Sequence, residues 1–175
     1  FDFNHGVFMG STMASETTAA ASGDVGNVRR DPMAMLPFCG YNMGKYFQHW
    51  LDIGKKLGDK APKIFNVNWF RKDKNGKFMW PGFGDNLRVL EWIISRCDNV
   101  VSAQESPIGY IPLPEDINIS DLDMSVSDVK DLLYIDKDLF TDESIRIDEF
   151  YKRFGKDLPE ELNNQLKNLK NRLKA

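Results

Sequence analysis

The hydrophobic pattern predicts a different kind of element at each end of the chain. Residues 1–10 (FDFNHGVFMG) alternate aromatic and small side chains, which favours a short buried strand that ends at a glycine. Residues 158–175 instead carry leucines at helical spacing on a polar background, namely Leu162, Leu166, Leu169 and Leu173. That spacing is typical of an amphipathic helix with one buried face and a solvated back.

The centre of the chain predicts a strand followed by a helix. Residues 63–70 (KIFNVNWF) alternate apolar and polar positions, as a half-buried strand does. Residues 87–96 (LRVLEWIISR) are apolar on nearly every side, so we expect a central helix there. Asp85 or Asn86 can provide its N-cap, because a short polar side chain accepts hydrogen bonds from the first unpaired backbone amides.

Further helices are predicted around residues 41–58, 127–134 and 142–154. In the first of these, His49 lies beside Trp50 on an aromatic face. A packed, hydrogen-bonded histidine is the favoured interpretation there, ahead of a metal ligand or a catalytic base. Strands mixed with several helices, followed by a helical C-terminus, make the predicted fold class α/β.

A small-residue run separates the first predicted strand from the first of these helices. Residues 11–22 (STMASETTAAAS) contain almost no large apolar side chain, and a glycine-containing turn follows at residues 23–27. Such a segment cannot anchor itself by burying a face. Composition leaves two interpretations open: a solvent-exposed loop, or a lid that is marginally stable alone and becomes ordered over a ligand.

An aromatic hairpin is the most distinctive local feature. Asn75-Gly76 is a strong tight-turn signal, so the flanking segments should pair and bring Phe70 near Phe78. Residues 81–84 (PGFG) can then bend Phe83 toward the same point. Three rings in this arrangement could form a slot for a flat heterocycle, which is held well by offset or edge contacts.

Backbone and amide groups beside this slot could recognise the edge of such a ligand. Gly82 and Gly84 allow the backbone to approach it closely, while Asn86 can donate or accept hydrogen bonds. Two other interpretations stay open. The rings can be a core cluster under the hairpin, or a stacking platform for single-stranded nucleic acid, because cations lie among them: Arg71, Lys72, Lys74 and Lys77.

Composition weakens the nucleic-acid interpretation. The chain has 175 residues, is 42% hydrophobic and carries a formal charge of -3, which suffices for one ordinary core without a basic surface field. Its apolar runs are too short to span a bilayer. Cys39 and Cys97 lack metal-ligand spacing, which favours a reduced, intracellular setting. No nucleophile–base constellation, phosphate-binding loop or dinucleotide fingerprint is visible.

Several long strings make a family resemblance specific. Residues 68–86 (NWFRKDKNGKFMWPGFGDN) resemble the guanine-binding segment of the GTP-dependent phosphoenolpyruvate carboxykinases. The resemblance continues through HGVFMGSTMASETTAAAS, RRDPMAMLPFCGYNMGKYFQHW and NLRVLEWI, and is looser from SPIGYIP onward. The sequence thus looks like the C-terminal segment of a carboxykinase nucleotide-binding domain. Residues 1–100 would carry the lid and guanine-binding part, and residues 101–175 a loop-rich, helical portion of the same domain.

The resemblance implies an activity and its cofactors. The family converts oxaloacetate and GTP to phosphoenolpyruvate, carbon dioxide and GDP, using Mn²⁺ or Mg²⁺. We therefore expect a cytoplasmic lyase of gluconeogenesis that binds neither nucleic acid nor membrane. The alternative from another class is a non-enzymatic nucleotide-binding or interaction module that reuses the aromatic hairpin.

The resemblance also assigns site residues. The rings of Phe70, Phe78 and Phe83 would stack around the guanine, and Trp69 and Trp80 would back the pocket. The backbone of residues 82–85 (which includes Gly84 and Asp85) and the side chain of Asn86 would select guanine over adenine. The family's mobile Ω-loop lid would comprise Ser15, Glu16, Thr17, Thr18, Ala19, Ala20, Ala21, Ser22 and Gly23.

Parts of the family pattern differ or lie elsewhere. Ala14 replaces an arginine that many animal members carry, and Ser22-Gly23 replaces Glu-His, which puts lid-locking contacts by those side chains in doubt. The family's phosphate-binding loop, metal ligands and substrate-binding arginines would lie upstream of this stretch. The chain begins with neither a methionine nor a signal-peptide pattern. We therefore expect a segment of a larger enzyme, inactive alone and partnered by the upstream part.

Overall fold

The computed structural model describes residues 1–16 and 28–175 and divides the chain into two compact units. The first unit comprises Phe1–Ile64 and Asp138–Ala175, and the second comprises Phe65–Lys137. The expected division of one domain near residue 100 stays a prediction.

The regular elements are mainly helical. In chain order, the α-helices are α1 (Phe3–Ser11), α2 (Met43–Leu57), α3 (Asn86–Cys97), α4 (Val126–Leu132), α5 (Lys137–Tyr151) and α6 (Glu160–Lys174). Two antiparallel ribbons pair β1 (Ala14–Glu16) with β2 (Val28–Arg30), and β3 (Gln104–Ser106) with β4 (Gly109–Ile111). The fold-class prediction holds in part. The several helices and the helical C-terminus are present, but the expected strands of a larger sheet are not found within residues 1–16 and 28–175, which form a mostly helical segment with two small two-stranded sheets.

Residues 1–10 form most of a helix, so the strand predicted there is wrong. The carboxylate of Asp2 caps α1 by accepting a hydrogen bond from the backbone N–H of His5 at 2.7 Å. Phe8 is buried, and Gly6 approaches Ile64 so closely that a Cβ would lie 2.5 Å from its Cδ1. Gly6 therefore permits close packing, and Gly10, where the strand was expected to end, lies inside the helix.

Residues 63–70 contain no strand either. Ile64 and Val67 are exposed, and no partner strand lies beside this segment among the described residues. Phe65 instead packs edge-on against Trp92, with ring centroids 6.2 Å apart. An alternating pattern forms a strand only where another strand pairs its backbone groups, and that partner is missing from the described ranges.

The first unit packs α1, α2 and α6 around buried apolar side chains. Phe47 and Leu162 are fully buried, and the predicted leucine face of α6 is confirmed. Close approach depends on glycines in α2, because a Cβ on Gly44 would overlap the carbonyl group of Asp157. A Cβ on Gly54 would likewise overlap the ring of Phe3.

The helix predicted around residues 41–58 is confirmed as α2. Asn42 caps its start by accepting from the backbone N–H of Gly44 at 2.9 Å, and Gly58 ends it with a φ of 53°. His49 is exposed on this helix, and its ring centroid lies 6.0 Å from that of Trp50. The interpretation of His49 as a packed side chain is therefore wrong.

The later helices are confirmed with shifted bounds. α4 begins at Val126, because Ser125 and Asp128 form a reciprocal capping box at its start. α5 begins at Lys137, earlier than the pattern indicates. None of the helices in the described ranges has both the length and the apolar character that crossing a bilayer requires.

α3 is confirmed as a helix but is not central. Trp92 is its buried residue, whereas Leu87 and Ile94 are 68% and 62% exposed. The core of the second unit consists of Trp92 together with Trp80, Ile117 and Val129. α3 therefore presents one face to this core and leaves an apolar face in solvent.

Candidate functional site: an aromatic hairpin beside a helix start

The predicted hairpin is present at residues 71–79. The backbone N–H of Asp73 donates to the carbonyl of Lys77 at 2.9 Å, and Met79 N donates to Arg71 O at 2.9 Å. Gly76 has a φ of 80°, which the Asn-Gly turn requires. Backbone hydrogen bonds from Lys77, then Asn75, hold the pKa of the Asp73 carboxyl below its usual value. The turn is therefore fixed by its own local hydrogen bonds.

Three phenylalanine rings of the hairpin region face solvent. Phe70 and Phe78 are 71% and 51% exposed, and their ring centroids lie 6.1 Å apart at an angle of 63°. Phe83 is 95% exposed. The Lys72 ammonium lies 5.2 Å from the centroid of Phe78, within cation–π range. The core-cluster interpretation is therefore wrong for these three rings.

The two tryptophans of the segment behave differently. Trp80 is buried in the core of the second unit, and the half-buried Trp69 packs against that core. The core interpretation thus holds for the tryptophans, which support the hairpin from behind. Residues 68–86 thus combine tryptophans that belong to or pack against the core with exposed phenylalanines. No local sequence rule distinguishes the aromatic residues of the core from those that are exposed.

Phe83 has a strained backbone. Its φ is 51°, in the left-handed region that disfavours residues with a Cβ, and Gly82 before it has a φ of 78°. These residues lead into the 3-10 helix Phe83–Asp85 at the start of α3. A nearly fully exposed ring on a strained backbone is costly to keep, because no burial of the ring offsets the strain.

Asp85 and Asn86 do not cap α3 through their side chains. The carboxylate of Asp85 accepts a hydrogen bond from Nε of Arg88 at 3.0 Å. Asn86 Oδ1 accepts from Nε1 of Trp80 at 3.0 Å. The capping prediction is therefore wrong in its mechanism, because these groups bind neighbouring side chains instead.

Arg71 fastens the hairpin to the end of α4. Its Nη1 donates to the carbonyl of Leu132 at 2.7 Å and to the carbonyl of Tyr134 at 2.8 Å. Helix-end carbonyls carry partial negative charge, so a guanidinium is well placed there. In the sequence, Arg71 is one of four cations among the rings. Only the several N–H donors of an arginine side chain indicate that it could bind backbone carbonyls.

The predicted lid is described only at its N-terminal end. Ser15 and Glu16 lie on β1, where Ser15 pairs with Arg29 and Glu16 with Val28. Arg30, at the end of β2, forms an ion pair with Glu143 at 2.7 Å. The remaining lid residues lie outside the described residues: Thr17, Thr18, Ala19, Ala20, Ala21, Ser22 and Gly23.

Metal ligands do not assemble in the described part of the chain. No group of three or more His, Cys, Asp or Glu side chains within residues 1–16 and 28–175 could hold a metal ion. His5 is buried, and its Nδ1 lies 3.3 Å from Oε1 of Gln165. These residues therefore do not fit a manganese or magnesium site, and no metal-dependent step is assigned to them.

Comparison with known proteins places this chain in a family. Residues 1–172 match the family described as the phosphoenolpyruvate carboxykinase C-terminal P-loop domain. The chain belongs to the GTP-dependent phosphoenolpyruvate carboxykinase family. The family resemblance seen in the sequence is thereby confirmed, and the match includes the whole aromatic hairpin.

Curated carboxykinases resemble the chain along nearly its entire length. Phosphoenolpyruvate carboxykinase [GTP] of Renibacterium salmoninarum is 52% identical over 174 residues, covering 98% of this chain and 28% of that protein. The proteins of the same name from Thermoplasma volcanium and Chlamydia abortus are 51% and 49% identical, with 99% and 98% of this chain covered and 29% of each relative. The chain thus spans little more than a quarter of these carboxykinases.

Proposed function

We propose that this chain supplies the guanine-binding site and the lid of a GTP-dependent phosphoenolpyruvate carboxykinase. That enzyme would convert oxaloacetate and GTP to phosphoenolpyruvate, carbon dioxide and GDP. The observation that carries the proposal is the exposure of Phe70 and Phe78 across one hairpin, and of Phe83 at the following helix start, in a chain of this family.

Ring exposure supports a stacking role. Burying an aromatic side chain contributes about 1.5–3 kcal/mol, so rings left in water forgo much of that stabilisation. The 63° angle between Phe70 and Phe78 gives two different contact surfaces, and a planar base can meet one ring face-on and the other edge-on. A guanine entering the slot would remove these apolar surfaces from water.

Selectivity for guanine is proposed for the start of α3. The backbone of residues 82–85 and the side chain of Asn86 provide hydrogen-bonding groups beside Phe83. Within residues 1–16 and 28–175, no Cβ-sized obstacle lies near Gly82 or Gly84, so a ligand can approach this backbone closely. Polar groups at the edge and apolar rings at the faces are what recognition of a purine needs.

The lid role is proposed for residues 15–23. β1, which contains Ser15 and Glu16, pairs with β2, so residues 28–30 return to the point where the proposed lid begins. A segment with few large apolar side chains gains little stability by itself. Contacts with bound nucleotide could therefore decide its conformation.

The remaining chemistry is proposed to lie on other parts of the enzyme. Phosphoryl transfer needs charge stabilisation and alignment, for which Mn²⁺ or Mg²⁺ supplies positive charge when bound. The ligands of that metal and the groups that bind oxaloacetate would be provided by the upstream part. We expect the chain alone to bind guanine nucleotide without carboxykinase activity, and the enzyme to work in the cytoplasm without a nucleic-acid or membrane partner.

A tryptophan-fluorescence titration with GDP, using ADP as the control, tests the base site. Trp69 and Trp80 lie behind the proposed slot, so guanine binding should give a saturable change that ADP does not. Replacing Phe83 by alanine should weaken GDP binding by about 1–3 kcal/mol, as expected for lost base stacking. Phe38→Ala is the matched control, because Phe38 is an exposed phenylalanine of the first unit.

The results of these titrations distinguish a guanine-binding site from exposed rings that bind no nucleotide selectively. A GDP response lost in Phe83→Ala and retained in Phe38→Ala supports the proposal. Equal responses to GDP and ADP, or an unchanged GDP affinity in Phe83→Ala, would show that the exposed rings do not form a guanine site. Carboxykinase turnover by the chain alone would contradict the proposed division of labour.

A further inference from the structure

We propose that Trp80 is a positioning residue that sets base specificity by fixing the orientation of the Asn86 side-chain amide. The inference rests on the proposed guanine site and goes beyond a supporting role for the indole. It states that the indole N–H determines which face of the Asn86 amide, donor or acceptor, is presented to a purine.

The geometry of the pair assigns the two ends of the amide. Nε1 of Trp80 lies 3.0 Å from Oδ1 of Asn86. An indole nitrogen can only donate, so the atom that faces it must be the amide oxygen and not the nitrogen. Trp80 is 4% exposed, and its ring is held in the core of the second unit, so the indole cannot turn to follow a flipped amide.

The amide nitrogen is thereby left for a ligand. It has no hydrogen-bond partner within residues 1–16 and 28–175, and Asn86 is only half-buried. Asn86 begins α3 directly after the 3-10 helix that carries Phe83. The Asn86 amide nitrogen, with its two N–H donors, is consequently the group available to a ligand that contacts Phe83.

A fixed donor distinguishes the two common purines at their 6-position. Guanine carries a 6-keto oxygen, which accepts a hydrogen bond, whereas adenine carries a 6-amino group, which donates. A donor facing a donor leaves both unpaired and desolvated, which is costly. If the amide could flip, it would offer its oxygen and accept the 6-amino group. The indole N–H opposes that flip, because the flipped amide would leave it facing another donor in a buried place.

Replacing Trp80 by phenylalanine tests this role by removing the N–H while keeping a large aromatic ring. The chain would be titrated by calorimetry with GDP and with the diphosphate of 2,6-diaminopurine riboside. The second probe keeps the 2-amino group but has an amine at position 6 and no hydrogen on N1. Wild-type chain should prefer GDP, and Trp80→Phe should reduce that preference about tenfold, the worth of one hydrogen bond to a buried group.

Trp92→Phe is the matched control. Trp92 belongs to the same core cluster and is 5% exposed, but its Nε1 has no hydrogen-bond partner in the described residues. The control therefore removes the same atoms from the same core without touching Asn86. Its preference for GDP should equal that of the wild type.

Asn86→Asp provides a second test that keeps the core intact. One carboxylate oxygen can still accept from Trp80, while the other replaces the donor with an acceptor. The preference should then reverse toward the 2,6-diaminopurine nucleotide. The indole ¹⁵N–¹H resonance of Trp80 should stay protected from hydrogen exchange in this variant, since its hydrogen bond survives.

The results distinguish this inference from the site on which it rests. Equal binding of the two probes by the wild-type chain, with no guanine preference, would overturn the proposed guanine site itself. A wild-type preference that Trp80→Phe retains in full would leave the guanine site standing and overturn the role of Trp80. If Trp80→Phe does not fold, an unreversed preference in Asn86→Asp overturns the role instead.

Discussion

The phenolic oxygen of Tyr151 lies 2.6 Å from Oγ of Ser11, and both side chains are buried. Ser11 Oγ also donates to the carbonyl of Phe8 at 2.7 Å, which uses its single hydrogen. The tyrosine hydroxyl must therefore donate to Ser11. This bond joins the end of α5 to the end of α1, next to the strand that leads into the proposed lid.

Removal of the two partners should have unequal costs. Ser11→Ala leaves a buried tyrosine hydroxyl without an acceptor, which costs about 1–3 kcal/mol of unfolding free energy. Tyr151→Phe leaves Ser11 bonded to Phe8 and should cost about 1 kcal/mol. Urea denaturation of the two variants measures the difference. Equal losses, or a larger loss in Tyr151→Phe, would contradict the assigned direction of the hydrogen bond.

The same tyrosine predicts a loss of stability at high pH. Burial raises the pKa of Tyr151 well above its usual value, although the charge of Arg30 acts in the opposite direction. Because the folded-state pKa is the higher one, this contribution is fully present below the unfolded pKa of about 10. It is then lost as pH rises toward the folded-state pKa, by up to about 1.4 kcal/mol per pH unit.

Tyr151→Phe is the control for this pH dependence. Unfolding free energies of both proteins would be measured by urea denaturation at several pH values above 9. The wild type should lose stability more steeply above about pH 10, where unfolded tyrosine ionises. Parallel curves would show that Tyr151 is not the group responsible.

Close helix packing predicts opposite effects for two glycine substitutions. Gly44→Ala should destabilise the chain, because the new Cβ would meet the backbone carbonyl of Asp157. Overpacking of this kind costs about 1–3 kcal/mol, which exceeds the helix-propensity gain of about 1 kcal/mol. Gly40→Ala is the control, since no atom lies within 4 Å of its added Cβ. Its melting temperature should stay unchanged or rise slightly, and a similar fall in both variants would rule out the packing explanation.

Arg71 should be required for the hairpin in a way that another cation is not. Arg71→Lys keeps the charge, but its ammonium lies on a differently shaped side chain and cannot reproduce the fixed, planar Nη1 geometry that donates to the carbonyls of both Leu132 and Tyr134. We expect it to lose about 1–2 kcal/mol of unfolding free energy and to weaken GDP binding. Lys74→Met, at an exposed position of the same turn, should change neither. If Arg71→Lys changes neither the unfolding free energy nor GDP binding, the hydrogen bonds of Arg71 are not required for the hairpin.

Because the Phe83 backbone is strained, we expect one substitution there to increase stability while it decreases GDP affinity. Phe83→Gly should raise unfolding free energy by about 1 kcal/mol, because glycine adopts a positive φ without the Cβ clash. The same variant should lose GDP affinity with the ring. Phe38→Gly, without positive φ, should instead be slightly destabilised. Thermal denaturation and GDP titration of both variants check this, and a destabilised Phe83→Gly would count against stored strain.

Local rules succeeded where a short stretch of chain contains all the groups that decide the structure. Gly76 adopts the positive φ that the turn requires, and the carboxylate of Asp73 accepts hydrogen bonds from the backbone of the same turn. The hairpin could therefore be predicted from this short stretch. The leucines of α6 lie on one face by spacing alone, and Ser125 with Asp128 satisfies a helix start within four positions. Family membership was likewise visible in the residue strings, since those strings include groups proposed to meet the nucleotide.

Local sequence rules failed where residues far away in the chain determine the local structure. Residues 1–10 became a helix because Phe8 is buried in a core completed by the C-terminal helices. Residues 63–70 stayed irregular because no strand lies beside them in the described ranges. In both places the local pattern was compatible with two structures, and burial or pairing chose between them.

By itself, the sequence determined the family and the turn, and it supplied the residues that are proposed to surround a base. Only the tertiary structure decided which rings are core and which are exposed, because five neighbouring aromatics carry no local mark of burial. It also decided that Trp80 bonds Asn86 and that Ser11 meets Tyr151 across 140 positions. Hydrogen-bond partners are selected by the folded geometry, and that geometry depends on residues far apart in the chain.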